Sequence, residues 1–211
     1  FLHIAKETQN IFYLLIHSIT KNCLKNNYMN NLSNVYELAT EYALSTNRSI
    51  FITGKAGTGK TTFLRKLKDI THKQMAIVAP TGVAAINAGG TTIHSFFQLP
   101  FSPFIPTAQG RRDLIEKIRM AGFRRKVLQE LELLVIDEIS MVRADVLDAI
   151  DTVLRSIRFR HNEAFGGVQV IFIGDMFQLS PVAVDDELRL LSSYYKSIYY
   201  FHSQVITQQT P

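Results

Sequence analysis

Short apolar runs alternate with helical patterns of hydrophobic residues through most of the chain. Four runs rich in strand-forming residues predict buried strands: Ser49–Thr53, Met75–Ala79, Leu131–Ile136 and Gln169–Ile173. Four intervening segments have apolar residues at helical spacing: Ser33–Ser45, Thr61–Ile70, Val83–Ala88 and Ala144–Ile157. Continuous apolar strands separated by helices are typical of a parallel sheet covered on both faces, so the pattern predicts an α/β fold.

Three further segments are less regular. The aromatic stretch Ser197–Phe201 predicts a fifth strand, and Leu99–Gly110, which contains three prolines, predicts a loop. Residues 1–31 are rich in Asn and differ in composition from the rest of the chain, which predicts an N-terminal extension to the domain. One interpretation is that residues 1–28 lie upstream of the native start at Met29; the alternative is an ordinary amphipathic N-terminal helix.

Composition limits the class of protein. The chain has 211 residues, of which 46% are hydrophobic and 19% charged, as expected for one globular domain and not for a disordered chain. Its single cysteine, Cys23, excludes an intrachain disulfide and favours a reducing compartment. Because no apolar stretch is long enough to span a bilayer, we expect a cytoplasmic protein without a membrane partner.

A glycine-rich segment follows the first predicted strand of the domain and precedes a predicted helix. Gly54–Thr61 (GKAGTGKT) matches GxxxxGK[ST] at every position, the pattern of a phosphate-binding loop. Its glycines allow successive backbone amides to turn inward, and the helix adds its positive end. Lys60 would reach the β- and γ-phosphates of a nucleoside triphosphate, and the Thr61 hydroxyl would bind Mg²⁺. The alternative is a flexible glycine-rich turn. The candidate nucleotide contacts are Gly54, Lys55, Ala56, Gly57, Thr58, Gly59, Lys60, Thr61 and Thr62.

Polar side chains also follow two later strands. Asp137 and Glu138 come directly after an apolar strand, where Asp137 could hold Mg²⁺ and Glu138 could activate water as a general base. A second carboxylate at this position favours a hydrolase over a nucleotide kinase; the alternative is a solvated acidic pair. Gln178 lies beyond the next strand, where it could contact the γ-phosphate or the attacking water.

Four strings, in this order, resemble consecutive motifs of superfamily 1B DNA helicases: GKAGTGKTT, APTGVAAINAGGTTIHSFF, LLVIDEISMV and GDMFQLSPV. The best match is the PIF (petite integration frequency) family, whose members are related to the RecD helicase subunit. The resemblance covers about residues 33–205 and implies a P-loop, RecA-like ATPase domain of a 5′→3′ helicase. It also implies that Lys60, Glu138 and Gln178 serve catalysis, Gln178 as γ-phosphate sensor, and that Thr61 and Asp137 bind magnesium.

The same resemblance implies contacts with single-stranded DNA at Thr81, Gly82, His94, Ser95 and Phe96. Strand-end amides and hydroxyls can grip phosphates, and an aromatic ring can stack on a base. The alternative for Phe96 and its neighbour Phe97 is that both belong to the hydrophobic core.

The resemblance also divides the chain. Residues 32–98 and 131–211 would form the RecA-like domain, with a wedge-like subdomain inserted at 99–130, and the second RecA-like domain would be missing. Residues 111–126 contain seven basic and two acidic residues, so the net charge of this segment is +5. The whole chain has the same net charge, +5. This segment would face fork DNA; the alternative is a solvated helical face.

One departure concerns the base of the nucleotide. The family often has a Gln about 17 residues before the phosphate loop to read adenine, whereas Tyr36 and Glu37 occupy that neighbourhood here. The preference for ATP over other triphosphates is therefore open.

Taken with the resemblance, these residues predict a monomeric, Mg-ATP-dependent motor domain of a DNA helicase that acts on single-stranded and fork DNA. It would hydrolyse ATP slowly and not unwind DNA by itself. Two alternatives are a nucleotide-switched single-stranded DNA-binding module and a nucleotide or small-molecule kinase.

Overall fold

A single parallel sheet organises the chain. The computed structural model describes residues 36–55, 57–118 and 120–208, together with the backbone of residues 11–15. The strands in these ranges are β1 (Ile11–Leu15), β2 (Ser49–Thr53), β3 (Met75–Ala79), β4 (Thr91–Thr92), β5 (Leu133–Ile136) and β6 (Gln169–Gly174). They lie in the order β1-β2-β6-β5-β3-β4, and every neighbouring pair is parallel.

Helices connect these strands. They are α1 (residues 36–45), α2 (Lys60–Ile70), α3 (Gly82–Ala88), α4 (Ile93–Phe97), α5 (Ala108–Lys117), α6 (Gly122–Glu130), α7 (Ala144–Arg158), α8 (Asp185–Ser192) and α9 (Gln204–Thr207). Short 3₁₀ turns lie at Ile139–Met141, Ala164–Gly167 and Tyr200–His202.

Successive strand residues point to opposite faces of the sheet and enter two separate cores. Ile50 and Ile52 of β2 join a cluster with α1 and α2, whereas Phe51 joins a larger cluster with α7. The same alternation holds along β5 and β6. Because each face is covered by helices, both sets of side chains are apolar, which is why these strands are continuous hydrophobic runs. The predicted α/β fold with a doubly covered parallel sheet is confirmed.

The predicted strands and helices between Ser49 and Gly174 are confirmed, with ends that move by one or two residues. Within the described residues, five helices are additional to those predicted: α4, α5, α6, α8 and α9. Helix α5 begins inside the segment expected to be a loop, so the loop runs only from Leu99 to Thr107. Its start is capped by Thr107, whose side chain accepts a hydrogen bond from the Gly110 amide at 3.0 Å.

The predicted fifth strand at Ser197–Phe201 is wrong. Tyr199 makes one isolated antiparallel bridge with Arg143, and Tyr200–His202 is a 3₁₀ turn. The Tyr200 ring instead packs against Phe51 and Phe172, with centroid distances of 5.9 and 6.1 Å. The aromatic character of this segment therefore serves the core beneath the sheet and not a further strand.

The N-terminal segment is described only in part. The backbone of Ile11–Leu15 forms the edge strand β1 beside β2, so a helix at these five residues is wrong. The rest of the predicted extension, residues 1–10 and 16–31, lies outside the described residues. Among the helices that are described, none combines the length and apolar character needed to cross a bilayer.

The segment between α4 and β5 packs on the same core as the sheet. Leu99, Phe104, Leu114 and Leu128 are buried in one cluster with α7. The two helices of this segment, α5 and α6, thus lie against α7 and bring the basic residues of 111–126 to that side of the molecule.

Three buried aspartates on α7 attach distant segments to the helix. Asp145, Asp148 and Asp151 recur every three residues and lie on its buried side. Asp145 accepts the Phe104 amide at 3.0 Å, and Asp151 accepts the Phe165 amide at 2.6 Å. Asp148 accepts the amides of Gln204 and Val205, both at 2.9 Å, at the start of α9. Each carboxylate satisfies backbone donors that the fold would otherwise bury without partners.

Candidate nucleotide-binding site and DNA interface

The phosphate loop connects β2 to α2. Gly57 and Gly59 have φ values of 78° and 92°, in the left-handed region that glycine adopts without strain. Lys60 Nζ, at the start of α2, donates hydrogen bonds to the carbonyls of Gly54 (2.5 Å) and Lys55 (3.1 Å). The lysine thus lies across its own loop, with its ammonium next to the backbone that would cradle an anion.

The first turn of α2 presents the two predicted hydroxyls. Thr61 and Thr62 are both exposed, while the next two residues, Phe63 and Leu64, are buried beneath the sheet. The apolar side of α2 therefore fixes the helix so that its amino end and its threonines face solvent beside the loop. Ala56, the remaining residue of the motif, lies outside the described residues.

The acidic pair follows β5. The Asp137 carboxylate accepts the Glu138 amide at 3.0 Å, and Glu138 has a φ of 51°, which turns the chain sharply at the strand end. Burial raises the pKa of Asp137, while its backbone hydrogen bond and Lys60 oppose the rise. Burial likewise raises the pKa of Glu138, reinforced by the neighbouring Asp137 charge and opposed by Lys60. A carboxylate with a raised pKa is a stronger base, as a group that removes a proton from water requires.

Gln178 is held by an acid that sequence reasoning did not single out. Its side-chain amide donates to the Asp175 carboxylate at 2.7 Å, and Asp175 is itself buried directly after β6. Asp175 also contributes to the raised pKa of Glu138. The sequence does contain a pattern that points to Asp175, because this acid directly follows an apolar strand just as Asp137 does.

Sheet order explains how these residues meet. Strands β2, β6 and β5 are neighbours, and the phosphate loop, Gln178 and the acidic pair each follow one of them. In a parallel sheet the carboxyl ends of neighbouring strands share one edge, where ligands bind in open α/β folds. The charges of Lys60, Asp137 and Asp175 all lie close enough to the Glu138 carboxylate to act on its pKa. Within the described residues, no set of three or more His, Cys, Asp or Glu side chains forms a ready-made metal site.

The predicted DNA contacts follow the next two strands, β3 and β4. Thr81 caps α3 by accepting the Ala84 amide at 3.2 Å, and Gly82 and Ser95 are exposed. His94 stacks on Phe101 with ring centroids 5.1 Å apart. Phe101 is 86% exposed and His94 is half-buried, so the Phe101 ring forms the solvent-facing side of this pair.

Phe96 and Phe97 differ in burial. Phe97 is fully buried, as the core alternative proposed. Phe96 is half-buried and packs edge-on against Phe97, with centroids 5.0 Å apart. Only Phe96 therefore keeps part of its ring accessible.

A cavity of about 630 Å³ adjoins this surface and is separate from the phosphate loop. Thr81, His94 and Phe101 line it on one side, and Arg143 and Asp145 on the other. Arg143 pairs with Asp145 at 2.8 Å and with Glu187 at 2.7 Å. Burial lowers the pKa of His94, and the Arg143 charge lowers it further, so the imidazole is neutral at physiological pH.

The basic segment is partly structural and partly exposed. Arg111 donates to the Gln204 side chain at 3.0 Å, whereas Arg125 and Lys126 on α6 are exposed. Arg124, also exposed, donates to the carbonyl of Ser95 at 3.2 Å. The amino end of α6 therefore adjoins the predicted DNA contacts on α4. Arg119 lies outside the described residues.

Comparison with known families places most of the chain in one of them. The family model described as PIF1-like helicase matches residues 27–207. The ATP-dependent DNA helicase PIF1 of Saccharomyces cerevisiae is 44% identical over 143 residues, which cover 65% of this chain and 16% of that protein. The human protein of the same name is 40% identical over 144 residues, covering 66% and 21%. The chain thus spans about a fifth of the length of these curated relatives.

Solved structures of Pif1 helicases are also similar to this chain. Bacteroides Pif1 bound to single-stranded DNA matches with a TM-score of 0.73 and 40% identity, over 89% of this chain and 40% of that one. Bacteroides Pif1 in complex with ADP-AlF3 and single-stranded DNA matches with a TM-score of 0.72, also at 40% identity, over 88% and 40%.

Proposed function

Because the chain belongs to the PIF1-like helicase family, we propose that it is the motor domain of a DNA helicase that binds and hydrolyses Mg-ATP. Hydrolysis would be coupled to movement along single-stranded DNA. The observation that carries the proposal is the convergence of Lys60, the Asp137–Glu138 pair and Gln178 at the carboxyl edge of β2, β5 and β6.

Each group has a defined part in this proposal. The loop amides and Lys60 bind the β- and γ-phosphates, so that the Lys60 ammonium exchanges backbone carbonyls for phosphate oxygens. Glu138 accepts a proton from the attacking water, for which burial and the Asp137 charge strengthen its basicity. Gln178, restrained by Asp175, orients that water or senses the γ-phosphate.

The residues present fit a magnesium ion. Mg²⁺ prefers hard oxygen ligands and is commonly held by one or two protein oxygens together with substrate phosphates. The exposed Thr61 hydroxyl and the Asp137 carboxylate supply such oxygens, and a cation would offset the cost of burying two adjacent acids. When bound, the ion would neutralise charge that develops on the phosphates.

The surface formed by the predicted DNA contacts after β3 and β4 supports the nucleic-acid part of the proposal. Thr81, Gly82, His94, Ser95 and the accessible part of Phe96 occupy the ends of β3 and β4, next to the exposed arginines of α6. Two structures of Bacteroides Pif1 contain single-stranded DNA. In the whole protein we expect forked DNA and a second RecA-like domain as further partners.

The test is release of phosphate from ATP by the 211-residue chain, with and without oligo-dT, at low and moderate salt. We expect a slow basal rate that oligo-dT stimulates, more strongly at low salt. ATP binding with no turnover under either condition would favour the nucleotide-switched DNA-binding module instead. Transfer of phosphate to a nucleotide acceptor in preference to water would favour the kinase.

A further inference from the structure

The Tyr36 side chain bridges α1 and the phosphate loop. Its hydroxyl donates a hydrogen bond to the carbonyl of Thr58, 22 residues along the chain. Its ring stacks on Phe63 of α2, with centroids 6.0 Å apart and planes 24° from parallel. The phenol is therefore held between the helix that precedes the loop and the helix that follows it.

The position of this hydrogen bond matters because of peptide geometry. In a planar trans peptide the carbonyl and the amide N–H point in opposite directions. A hydroxyl that holds the Thr58 carbonyl on the α1 side of the loop thus directs the Gly59 N–H to the other side. In a phosphate-binding loop, the amides that bind phosphate must all face inward.

Gly59 is the residue that allows this approach. A Cβ at position 59 would lie 2.7 Å from the Tyr36 hydroxyl oxygen, and the φ of 92° would strain any other residue. The Tyr36 hydroxyl and the bare Cα of Gly59 therefore lie directly against each other.

We infer that Tyr36 is a positioning residue for the phosphates of the nucleotide: its hydroxyl fixes the Thr58–Gly59 peptide so that the Gly59 N–H faces the β- and γ-phosphates. This inference rests on the proposed nucleotide site. It assigns Tyr36 to the triphosphate and not to the base, although its place in the sequence is where the family often has an adenine-reading Gln.

The test compares ATP with inorganic tripolyphosphate, which has the same phosphates and no base. Both are titrated in the presence of Mg²⁺ into the 211-residue chain and its Tyr36→Phe variant by calorimetry. The variant keeps the ring and its stacking on Phe63, so we expect the melting temperature to change little. Because one anchoring hydrogen bond is lost, we expect the affinity for both ligands to fall by the same factor, about fivefold.

Two variants serve as controls. Tyr42→Phe removes a hydroxyl six residues further along α1 and should leave both affinities unchanged. Lys60→Ala should weaken both, which verifies that the phosphates occupy the loop.

Three outcomes would overturn the inference. Unchanged affinities in Tyr36→Phe would mean that the hydroxyl does not position the loop. A loss confined to ATP would assign Tyr36 to the base. If the unmodified chain bound neither ligand, the proposed nucleotide site itself would fail, and the role of Tyr36 with it.

Discussion

At the scale of single residues, Lys60 is a group whose substitution should change ATP affinity without changing the stability of the fold. Its ammonium contacts two loop carbonyls, and the side chain is only half-buried. We expect Lys60→Ala to lower ATP affinity by about 10- to 100-fold, because charge-assisted hydrogen bonds to phosphate are lost, with little change in melting temperature. Calorimetric titration and thermal denaturation together check this. Lys66→Ala, an exposed lysine on the same helix, should alter neither quantity. Unchanged ATP affinity in Lys60→Ala would argue against the loop assignment.

A substitution at Glu138 should separate ATP binding from ATP hydrolysis. We expect Glu138→Gln to slow phosphate release by about 10²- to 10⁴-fold, because the amide cannot accept the proton from water. ATP affinity should be retained or increase, since a negative charge near the phosphates is removed. Steady-state phosphate release and equilibrium binding measure the two effects. Activity close to that of the unmodified chain would exclude Glu138 as the base.

At the scale of secondary-structure elements, α7 connects the sheet to three separate segments through buried carboxylates. Burial raises the pKa of Asp148 to about 6, although two backbone amides donate to it and oppose the rise. The folded chain therefore binds this proton more tightly than the unfolded chain, whose pKa is near 3.8. The contribution of Asp148 to stability is fully present below pH 3.8 and is lost as pH rises through 6.

This linkage predicts a pH-dependent difference between the unmodified chain and Asp148→Asn. The variant cannot titrate at this site, and its side chain has one acceptor oxygen for two backbone amides, so we expect it to be less stable at pH 4.5. Its disadvantage in unfolding free energy should shrink by about 2 kcal/mol between pH 4.5 and 7.5. Urea denaturation at a series of pH values measures this, and parallel curves would show that Asp148 does not titrate in this range.

The connection between α3 and β4 depends on close backbone packing at Gly90. A Cβ at this position would lie 2.2 Å from the Ile77 carbonyl oxygen of β3. Since backbone cannot move aside cheaply, we expect Gly90→Ala to destabilise the fold by about 1–3 kcal/mol. Gly122→Ala is the matched control, because a Cβ at this first residue of α6 meets no atom within 4 Å. Chemical denaturation compares the two, and equal stabilities would contradict the packing argument.

At the scale of the whole molecule, each face of the sheet carries a helix with an exposed pair of basic residues. The exposed Arg125 and Lys126 lie on α6, on the α7 side, whereas the exposed Arg65 and Lys66 lie on α2, on the other. If α6 contacts DNA, replacing Arg125 and Lys126 with Gln should reduce the slope of log affinity for oligo-dT against log salt by about 1.4. The same replacement at Arg65 and Lys66 should leave the slope unchanged. Fluorescence anisotropy at several salt concentrations measures both, and equal effects would support a merely solvated face for α6.

Local pattern was sufficient for much of this fold. Strands β2, β3, β5 and β6 are short, apolar and followed by turn or polar residues, so the hydrophobic pattern located them and predicted a sheet covered on both faces. The two-residue strand β4 (Thr91–Thr92) has no apolar residue and was not predicted. The phosphate loop and the acidic pair were found for the same reason, because each is a short motif joined directly to a strand. The helices α5 and α6 were not predicted, because both are rich in charged residues and each has only one buried apolar residue. These residues are Leu114 in α5 and Leu128 in α6, and one residue gives no helical periodicity.

The sequence by itself therefore determined the fold class, the family and which polar residues follow each predicted strand, because these depend on neighbours in the chain. The tertiary structure alone decided which distant groups meet. It placed Tyr36 against Thr58, joined Asp148 to α9, separated buried Phe97 from half-accessible Phe96 and brought Arg124 to Ser95. Such contacts depend on the order of strands in the sheet and on helix packing across it, and hydrophobic periodicity within a segment carries no information about either.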